Sequence, residues 1–382
     1  MFSTSTIELS KNALKNNLKF IRSKLKKETR LCCVVKGNAY GHGFCQYASM
    51  AMDCGVDYFG VHSAEEAYQL VNGLEKIPDI FVMGDMHNEA IEWAIEKGIE
   101  FSVYDMLRLE KTLSYAKKLN KKAKIHIEIE TGMRRTGFEP DNFQQIIDFL
   151  KKNNQNLFVQ GIFTHFAGAE SQANNFRVSK QVFNFQNALF YFESRGLSPL
   201  YHHAACSAVL LNYPEAIGNM VRVGILQYGF WPNSETLIRY CGEKKTTDPL
   251  RRVIKWKSRI MATKNVKKGW FVGYGTTYLA HHNMKIAIIP VGYSHGYARN
   301  LSNIGGVLIQ GKIAPVVGIV NMNSMTVDIT HIPDAIKGDE VVLIGKQKSK
   351  EITVNSFSEQ SNQLNYELLT RLPYSIPRVI YE

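Results

Sequence analysis

The chain has 382 residues, of which 45% are hydrophobic and 21% are charged, and its formal net charge is +12. This length predicts two or three domains, and the hydrophobic content is typical of an ordered globular protein. The lysines form short scattered clusters without a nucleic-acid-binding motif, so the charge does not indicate a nucleic-acid partner. We see neither the pattern of a signal peptide nor an apolar stretch long enough to span a membrane.

The six cysteines show no C-x-x-C pair and no spacing typical of a metal site, so no metal is predicted. Cys32, Cys33 and Cys206 lie in apolar, strand-like runs. We therefore expect buried thiols and a reducing, cytoplasmic location.

In chain order, short apolar runs alternate with longer amphipathic segments. Eight of these runs are strand candidates: residues 31–37, 58–63, 79–84, 101–105, 124–131, 159–166, 201–207 and 221–229. Most are continuously apolar, as expected for parallel strands that are buried on both faces. Between them, residues 64–74 and 88–98 read as helices, the first opening behind Ser63 as N-cap and the second ending in a glycine.

Eight strands that alternate with helices predict an α/β fold, a (β/α)8 TIM-like barrel. A doubly wound open sheet is the alternative, but no G-x-G-x-x-G motif follows the first strand. After about residue 235 the sequence changes to shorter strands and turns, and the next long helical pattern covers residues 354–372. We predict a barrel in residues 1–244 and a mainly β C-terminal domain in residues 245–382; the first strand, about residues 1–10, is a candidate to pack with the latter.

Reactive side chains recur at the predicted carboxyl ends of the barrel strands, where this fold builds its active sites. They are Lys36, Arg134, Arg135, His165, Ser207 and Arg222, and Gly224 lies along the last strand beside Arg222. A desolvated lysine loses basicity and becomes a good amine nucleophile for an aldehyde cofactor. Taken singly, Lys36 reads equally as a surface lysine at a strand end, and His165 as a core histidine.

The run V-V-K-G-N-A-Y-G-H-G, residues 34–43, closely resembles the cofactor-lysine motif of alanine racemases. In that family the lysine forms a Schiff base with pyridoxal 5'-phosphate, and the tyrosine four residues later contacts the phosphate. The resemblance implies these roles for Lys36 and Tyr40.

The resemblance extends over essentially the whole chain. Its other segments are residues 7–10 with Asn17, and residues 132–135, 164–167, 203–207, 221–225, 273–278, 290–293, 321–322 and 374–378. It implies that Arg135 hydrogen-bonds the phenolic oxygen of the cofactor and that Arg222 meets its pyridine nitrogen. The further phosphate contacts that it implies come from Ser207, Gly224, Ile225 and Tyr374.

A racemase removes a proton from one face of its substrate and returns one to the other, so two bases are the simplest arrangement. The resemblance implies that Lys36 and Tyr274 are these bases, with His165 and Arg222 completing the network of the tyrosine. Because an arginine does not readily release a proton, the ring nitrogen of the cofactor would stay unprotonated, which favours reprotonation over transamination. A decarboxylase of the same barrel class is expected to carry an acid at the position of Arg222.

The resemblance also implies a homodimer in which Tyr274 and Met322 act in the partner's site. Arg135, Met322 and Tyr293 would lie on the substrate side, with Met322 and Tyr293 narrowing the entrance. We expect a racemase that interconverts L- and D-alanine, in the pathway that supplies D-alanine for cell-wall precursors. The alternatives are a serine or broad-specificity racemase, a barrel-type decarboxylase and a non-catalytic cofactor-binding protein.

The sequence departs from the family pattern at four places, which comprise six residues. Glu128 stands where many members carry a lysine that becomes carbamylated, and Cys206 replaces an asparagine. The run 321–323, Asn-Met-Asn, replaces Cys-Met-Asp, and Ser294-His295 replaces an Ala-Asp pair. We expect the carboxylate of Glu128 to anchor Arg135 directly, because its two oxygens match the guanidinium fork.

Overall fold

The structure is a computed structural model that describes residues 3–354 and 365–382. The chain forms two compact units. The barrel unit comprises Ala13–Lys36 and Ala51–Arg251, and the β unit comprises Met1–Asn12, Gly37–Met50 and Arg252–Glu382. The domain boundary between residues 244 and 245 stays a prediction.

The barrel unit contains eight parallel strands. They are β2 Arg30–Val34, β3 Tyr58–Val61, β4 Asp79–Val82, β5 Glu100–Val103, β6 Ala123–Glu128, β7 Leu157–Phe163, β8 Tyr201–His203 and β9 Met220–Val223. Their order in the sheet is β8-β7-β6-β5-β4-β3-β2-β9. Beyond the end of β8, the backbone N–H of Arg222 donates to the carbonyl of Ala205 at 2.9 Å, which brings the two edges of the sheet together. All eight predicted strands are present, and the predicted TIM-like barrel is confirmed against the open-sheet alternative.

The strands of the barrel unit alternate with helices, and the local signals in the sequence explain where several of them begin and end. The helices of the chain as far as residue 244 are α1 Lys11–Arg22, α2 Lys36–Tyr40, α3 Phe44–Asp53, α4 Ala64–Gly73, α5 Asn88–Lys97, α6 Met106–Leu119, α7 Phe143–Lys152, α8 Asn175–Ser194, α9 Ser207–Asn212 and α10 Ser234–Lys244. Of these, α2 is a short left-handed turn and not a regular α-helix. Helix α4 begins as predicted behind Ser63, whose hydroxyl accepts from the backbone N–H of Glu66. Helix α5 ends at Gly98, which has a φ of 70°.

The β unit is built on two sheets. Its strands are β1 Ser5–Ser10, β10 Ile254–Arg259, β11 Ala262–Val266, β12 Met284–Ile289, β13 Gly306–Ile309, β14 Lys312–Pro315, β15 Met325–Asp328, β16 Glu340–Gln347, β17 Lys350–Ile352 and β18 Arg378–Tyr381. The larger sheet has the order β14-β13-β16-β10-β1-β18 with β17 paired to β16, and the smaller has the order β11-β12-β15. Strand β1 pairs antiparallel with β10 and parallel with β18. The predicted mainly β character is confirmed; the sequence interpretation had missed β17 and β18.

Two expectations need correction or restriction. Cys32 and Cys33 are buried as expected, but Cys206 is only partly buried, because it follows the end of β8 rather than lying within the strand. The helix predicted over residues 354–372 falls largely on residues 355–364, which lie outside the described residues; α11, Asn365–Thr370, is its described part. Within the described ranges, no helix is both long and apolar enough to cross a membrane.

Candidate active site

Lys36 lies two residues beyond Val34, the last residue of strand β2, and begins a left-handed turn. The next four residues, Gly37 to Tyr40, have φ values of 63°, 57°, 52° and 50°. Residues other than glycine seldom adopt this left-handed conformation, so three of the four are strained. Hydrogen bonds hold the turn: the N–H of Gly41 donates to the carbonyl of Gly37 at 3.0 Å, and the amide oxygen of Asn38 accepts from the N–H of Phe44. The turn fixes the direction in which the chain leaves Lys36.

A cluster of basic side chains gathers at the carboxyl end of the barrel. Burial, together with the charges of Arg135 and Arg222, lowers the pKa of Lys36, which Glu66 raises in part. Burial and the charges of Arg222, Arg135 and Lys36 lower the pKa of His165 to about 3. Lys36 stays accessible at the mouth of the barrel, although the protein around its amine displaces enough water to lower its basicity. The cluster therefore combines a reactive amine with a positive field that suits an anionic ligand.

Arg222 is buried in strand β9 and is held by three hydrogen bonds. Its Nη1 donates to Nδ1 of His203 at 2.5 Å and to the carbonyl of His203 at 2.8 Å. Its Nη2 donates to the carbonyl of Thr164 at 2.7 Å. An arginine has five N–H donors, so these bonds leave two for a ligand. Burial lowers the pKa of Arg222, but a guanidinium remains charged over the physiological range.

Ser207 and Gly224 meet at the ends of β8 and β9. The N–H of Gly224 donates to the Ser207 hydroxyl at 3.1 Å, and Ile225 begins the 3-10 turn Ile225–Tyr228. The first N–H groups of such a turn have no partner within it and point outward, which suits an anion. The same turn is fastened to strand β2: Tyr228 donates its hydroxyl to the carbonyl of Val34 at 3.0 Å. The anion cradle is thereby tied to the strand that presents Lys36.

Glu128 lies buried at the end of β6, close to Arg135. Its Oε2 accepts from the Thr136 hydroxyl at 2.9 Å, and its Oε1 lies 3.9 Å from Nη2 of Arg135. This is the range of an ion pair but not of a hydrogen bond, so the anchoring role of Glu128 stays a prediction. Burial raises the pKa of Glu128, and Thr136 and Arg135 oppose that change. The following acid, Glu130, instead accepts from the backbone N–H groups of the loop that carries Arg135.

In the β unit, the segments of Tyr40 and Tyr374 are fastened together. The guanidinium of Arg378 donates from Nη2 to the carbonyl of Gly41 at 2.9 Å, and from Nη1 to the carbonyls of Pro373 and Ile376. Gly41 has a φ of 80°, and a Cβ there would lie 1.8 Å from the carbonyl oxygen of Leu369. Position 41 requires a glycine because a side chain there would collide with the backbone of Leu369.

Tyr274 stands at the tip of an exposed turn in the β unit. It lies between Gly273 and Gly275, whose φ values are 76° and 74°, and 73% of its surface is exposed. Its hydroxyl makes no hydrogen bond within the described part of the chain. The proposed bases Lys36 and Tyr274 belong to different units, and their mutual arrangement stays a prediction.

The two predicted entrance elements, Tyr293 and Met322, lie on turns that bind each other. The N–H of Tyr293 donates to the carbonyl of Asn321 at 3.0 Å, and the Ser294 hydroxyl donates to the carbonyl of Met322 at 2.7 Å. Asn323 donates from Nδ2 to the Ser294 hydroxyl at 3.0 Å. Both predicted side chains remain exposed, 42% for Tyr293 and 56% for Met322. Asn323 and Ser294, which depart from the family pattern, thus form a polar contact beside Tyr293 and Met322.

Sequence reasoning missed three supporting residues. Thr164 holds Arg222 through its backbone carbonyl, which no side-chain pattern reveals. Arg378 was recognised only as part of a C-terminal signature, without its contact to Gly41. His126 lies inside the barrel beside His203; its signal was a histidine between two isoleucines, on the same face of strand β6 as Glu128.

Comparisons with known proteins agree with this geometry. The family model described as alanine racemase, N-terminal domain, matches residues 9–232, and that described as alanine racemase, C-terminal domain, matches residues 253–380. The chain belongs to the alanine racemase family. An alanine racemase from Leptospira interrogans is 34% identical over 379 residues, which cover 99% of this chain and 96% of that relative. The family predicted from residues 34–43 is confirmed.

Two solved structures of alanine racemases extend the likeness to three dimensions. That of Clostridium difficile 630 has 30% identity and a TM-score of 0.91, and the match covers 100% of this chain and 96% of that one. That of Bartonella henselae, described with covalently bound pyridoxal phosphate, has 26% identity and a TM-score of 0.83, with 100% of both chains covered. The barrel and the β unit are therefore the two domains of an alanine racemase fold.

Proposed function

We propose that this enzyme interconverts L- and D-alanine with pyridoxal 5'-phosphate bound covalently to Lys36. The observation that carries the proposal is the position of Lys36 at the mouth of the barrel, among Arg135, His165 and Arg222, with a lowered pKa. When bound, the cofactor supplies an electron sink that acidifies the α-hydrogen of the amino acid.

The donor set of the barrel unit fits this cofactor. The Ser207 hydroxyl and the N–H groups of Gly224 and Ile225 would hold its phosphate. The family resemblance adds the hydroxyls of Tyr40 and Tyr374, which belong to the β unit, as further donors. Arg135 would hold its phenolic oxygen, and the donors that Arg222 has left would face its ring nitrogen. An anionic ligand also offsets the cluster of positive charge, which is otherwise unfavourable in a partly buried site.

Proton transfer falls to two side chains on opposite faces of the substrate. The lowered pKa of Lys36 increases the fraction of neutral amine near pH 7, so it can take up the α-proton from one face. Tyr274 would hold or accept the proton on the other face. Arg222 donates only and cannot supply a proton to the ring nitrogen, which favours return of a proton to the α-carbon.

The proposal includes a homodimer with shared sites, supported by the exposure of Tyr274 and Met322. Each would complete the site of the partner subunit. We place the enzyme in the cytoplasm, where it would supply D-alanine for cell-wall precursors, with no nucleic-acid partner and no metal.

Reduction with borohydride followed by peptide mapping tests the cofactor assignment. We expect the reduced cofactor on Lys36 alone, and no bound chromophore in a Lys36→Ala variant. A matched control, Lys76→Ala, removes a lysine outside the site and leaves the labelling unchanged. Cofactor on another lysine, or none at all, would contradict the proposal.

Racemisation of serine or of a broader range is the second candidate. It is favoured by the polar contact between Asn323 and Ser294 at the proposed entrance, where the family pattern has a carboxylate at position 323. A chiral assay that measures racemisation of single L-amino acids, one at a time, distinguishes the two candidates. We expect alanine to have the highest kcat/KM and serine to be racemised at a measurable rate. If serine or a long basic amino acid has a higher kcat/KM than alanine, alanine is not the preferred substrate.

A further inference from the structure

Four buried polar side chains form one continuous hydrogen-bonded chain inside the barrel unit. Arg222 on β9 contacts Nδ1 of His203 on β8 at 2.5 Å. Nε2 of His203 lies 2.9 Å from Nδ1 of His126 on β6, and Nε2 of His126 lies 2.9 Å from Oε2 of Glu100 on β5. Solvent reaches at most a twentieth of any of the four residues. We call this set the Arg222–Glu100 relay.

The chemistry of the groups fixes the direction of every bond in the relay. An arginine can only donate, so Nδ1 of His203 accepts. A ring nitrogen that accepts carries no hydrogen, so His203 is neutral with its hydrogen on Nε2, and the burial that lowers the pKa of both histidines agrees with this. His203 must then donate from Nε2 to His126, and His126 must donate from Nε2 to Glu100. All three donors therefore point from the guanidinium towards the carboxylate.

Glu100 is surrounded by donors at the far end of the relay. Besides His126, the Tyr58 hydroxyl donates to Oε2, and Nε2 of Gln160 donates to Oε1 at 2.9 Å. The two carboxyl oxygens of Glu100 therefore accept three hydrogen bonds, from His126, Tyr58 and Gln160.

Two buried acids of the described barrel unit, Glu100 and Glu128, can balance the buried charge of Arg222. The other buried guanidinium, that of Arg108, pairs with Asp85 at 2.9 Å. Glu128 lies near Arg135, and its charge also reaches Arg222 through space. All the hydrogen-bond acceptors of Arg222, however, are neutral groups, and a buried charge without compensation is strongly unfavourable.

We propose that Glu100 is a positioning residue for the racemase: through His126 and His203 it fixes the orientation of Arg222 and the charge balance that Arg222 presents to the cofactor ring. The inference rests on the proposed function for its catalytic consequence, and on the hydrogen-bond geometry alone for the direction of the relay. Glu100 itself lies two histidines away from the guanidinium and touches neither substrate nor cofactor.

Variants of the holoenzyme test the catalytic consequence. In Glu100→Gln the amide keeps the shape but removes the charge, so Arg222 loses the carboxylate that polarises its acceptors. We expect kcat to fall roughly tenfold or more in both directions with a smaller change in KM, and the visible absorption of the bound cofactor to change its maximum or its pH midpoint. Ser102→Ala is the matched control, since Ser102 is buried two residues along the same strand and donates to the carbonyl of Met83. Ser102→Ala should leave the spectrum unchanged and kcat within about twofold of the wild-type value.

A folded Glu100→Gln enzyme with the wild-type spectrum and kinetics would show that the relay is structural only. A loss of stability without a spectral change would support the same conclusion. Should the variant fail to fold, the wild-type protein decides, as its histidine tautomers can be measured with or without cofactor.

Nitrogen-15 NMR of histidine-labelled full-length protein reads those tautomers. We expect His126 and His203 both neutral at pH 7, each with its hydrogen on Nε2. A hydrogen on Nδ1 of His203, or a charged imidazole at either position, would overturn the relay. If borohydride reduction finds no cofactor on Lys36 while the tautomers are as stated, the proposed function fails and the direction of the relay stands.

Discussion

Two cofactor residues of the barrel unit, Arg222 and Ser207, and two residues of the β unit, Tyr274 and Met322, are held in opposite ways. In the barrel unit, Arg222 and Ser207 are buried; three hydrogen bonds hold Arg222, and the Ser207 hydroxyl accepts from the N–H of Gly224. In the β unit, Tyr274 and Met322 project from exposed turns, and the Tyr274 hydroxyl has no hydrogen-bond partner in the described ranges. A group that must hold a ligand permanently benefits from a rigid environment, whereas exposed groups need a second surface to complete them. Changes in the two regions should therefore affect different steps.

The largest effect is expected at Tyr274. Tyr274→Phe removes the only proton-carrying atom of that side chain, so racemisation should slow by roughly 10²–10⁴-fold in both directions while the cofactor stays bound. Rates from L- and D-alanine, together with the absorbance of bound cofactor, check this. Tyr68→Phe, which alters another exposed tyrosine, is the control. Near-normal rates in Tyr274→Phe would refute its assignment as a base.

A mixed dimer sharpens the same comparison. Lys36→Ala and Tyr274→Phe subunits should each be inactive, yet their heterodimer contains one site with both bases intact. Each heterodimer should therefore regain about half of the wild-type activity, since one of its two sites is complete. Verified subunit exchange without any recovery would argue against sites shared between subunits.

An intermediate effect is expected at Glu128, at the end of the barrel. Glu128→Gln removes the charge that lies beside Arg135, which should weaken catalysis by about 1.5–3 kcal/mol if Arg135 moves into hydrogen-bond range when the cofactor is bound. Steady-state kinetics and cofactor titration measure the loss, and the exposed Glu110→Gln is the control. Wild-type activity should not depend on bicarbonate, because a carboxylate is already present. Unchanged kinetics and cofactor affinity in Glu128→Gln would show that it does not anchor Arg135.

The smallest effect concerns stability rather than rate, and lies in the turn after Lys36. Burial lowers the pKa of His42 to about 3, whereas an unfolded chain has an ordinary histidine near 6.5. Between these values the unfolded state binds more protons, so the contribution of His42 is complete above about pH 6.5 and is lost as the pH falls towards 3. His42→Gln should make unfolding midpoints fall less between pH 7 and pH 4. An identical decline in His42→Gln and in the exposed control His282→Gln would contradict this.

The barrel was predictable because its signals are local and repeated. Each strand is a short apolar run, and caps such as Ser63 and Gly98 mark the helices between them. The candidate site was predictable only as a set of residues at strand ends. The groups that hold these residues in place were not predictable. They are backbone carbonyls, as at Thr164, or partners far apart in sequence, as with Arg378 and Gly41. Strands β17 and β18 were missed since both are short and lie at the margins of the pattern.

Cys206 illustrates a smaller failure of local reasoning. Its apolar neighbours predicted a fully buried thiol, but the strand ends three residues earlier and the chain turns into helix α9. Where a strand stops depends on the neighbours it finds in the sheet, which the sequence of one segment does not contain.

The turn that follows Lys36 has a consequence for biosynthesis. Gly41, which closes the turn, accepts from Arg378 and is approached closely by Leu369, and the ribosome adds both of these residues more than 300 residues after Gly41. Strand β1 likewise awaits β10 and β18, its two partners in the sheet. During translation, the early segments of the β unit therefore emerge without the groups that complete them, while the successive strands of the barrel find their neighbours as they appear. The left-handed turn should be among the last features of a new chain to mature, and a chain shortened before Arg378 should keep its barrel strands but lose the ordered turn.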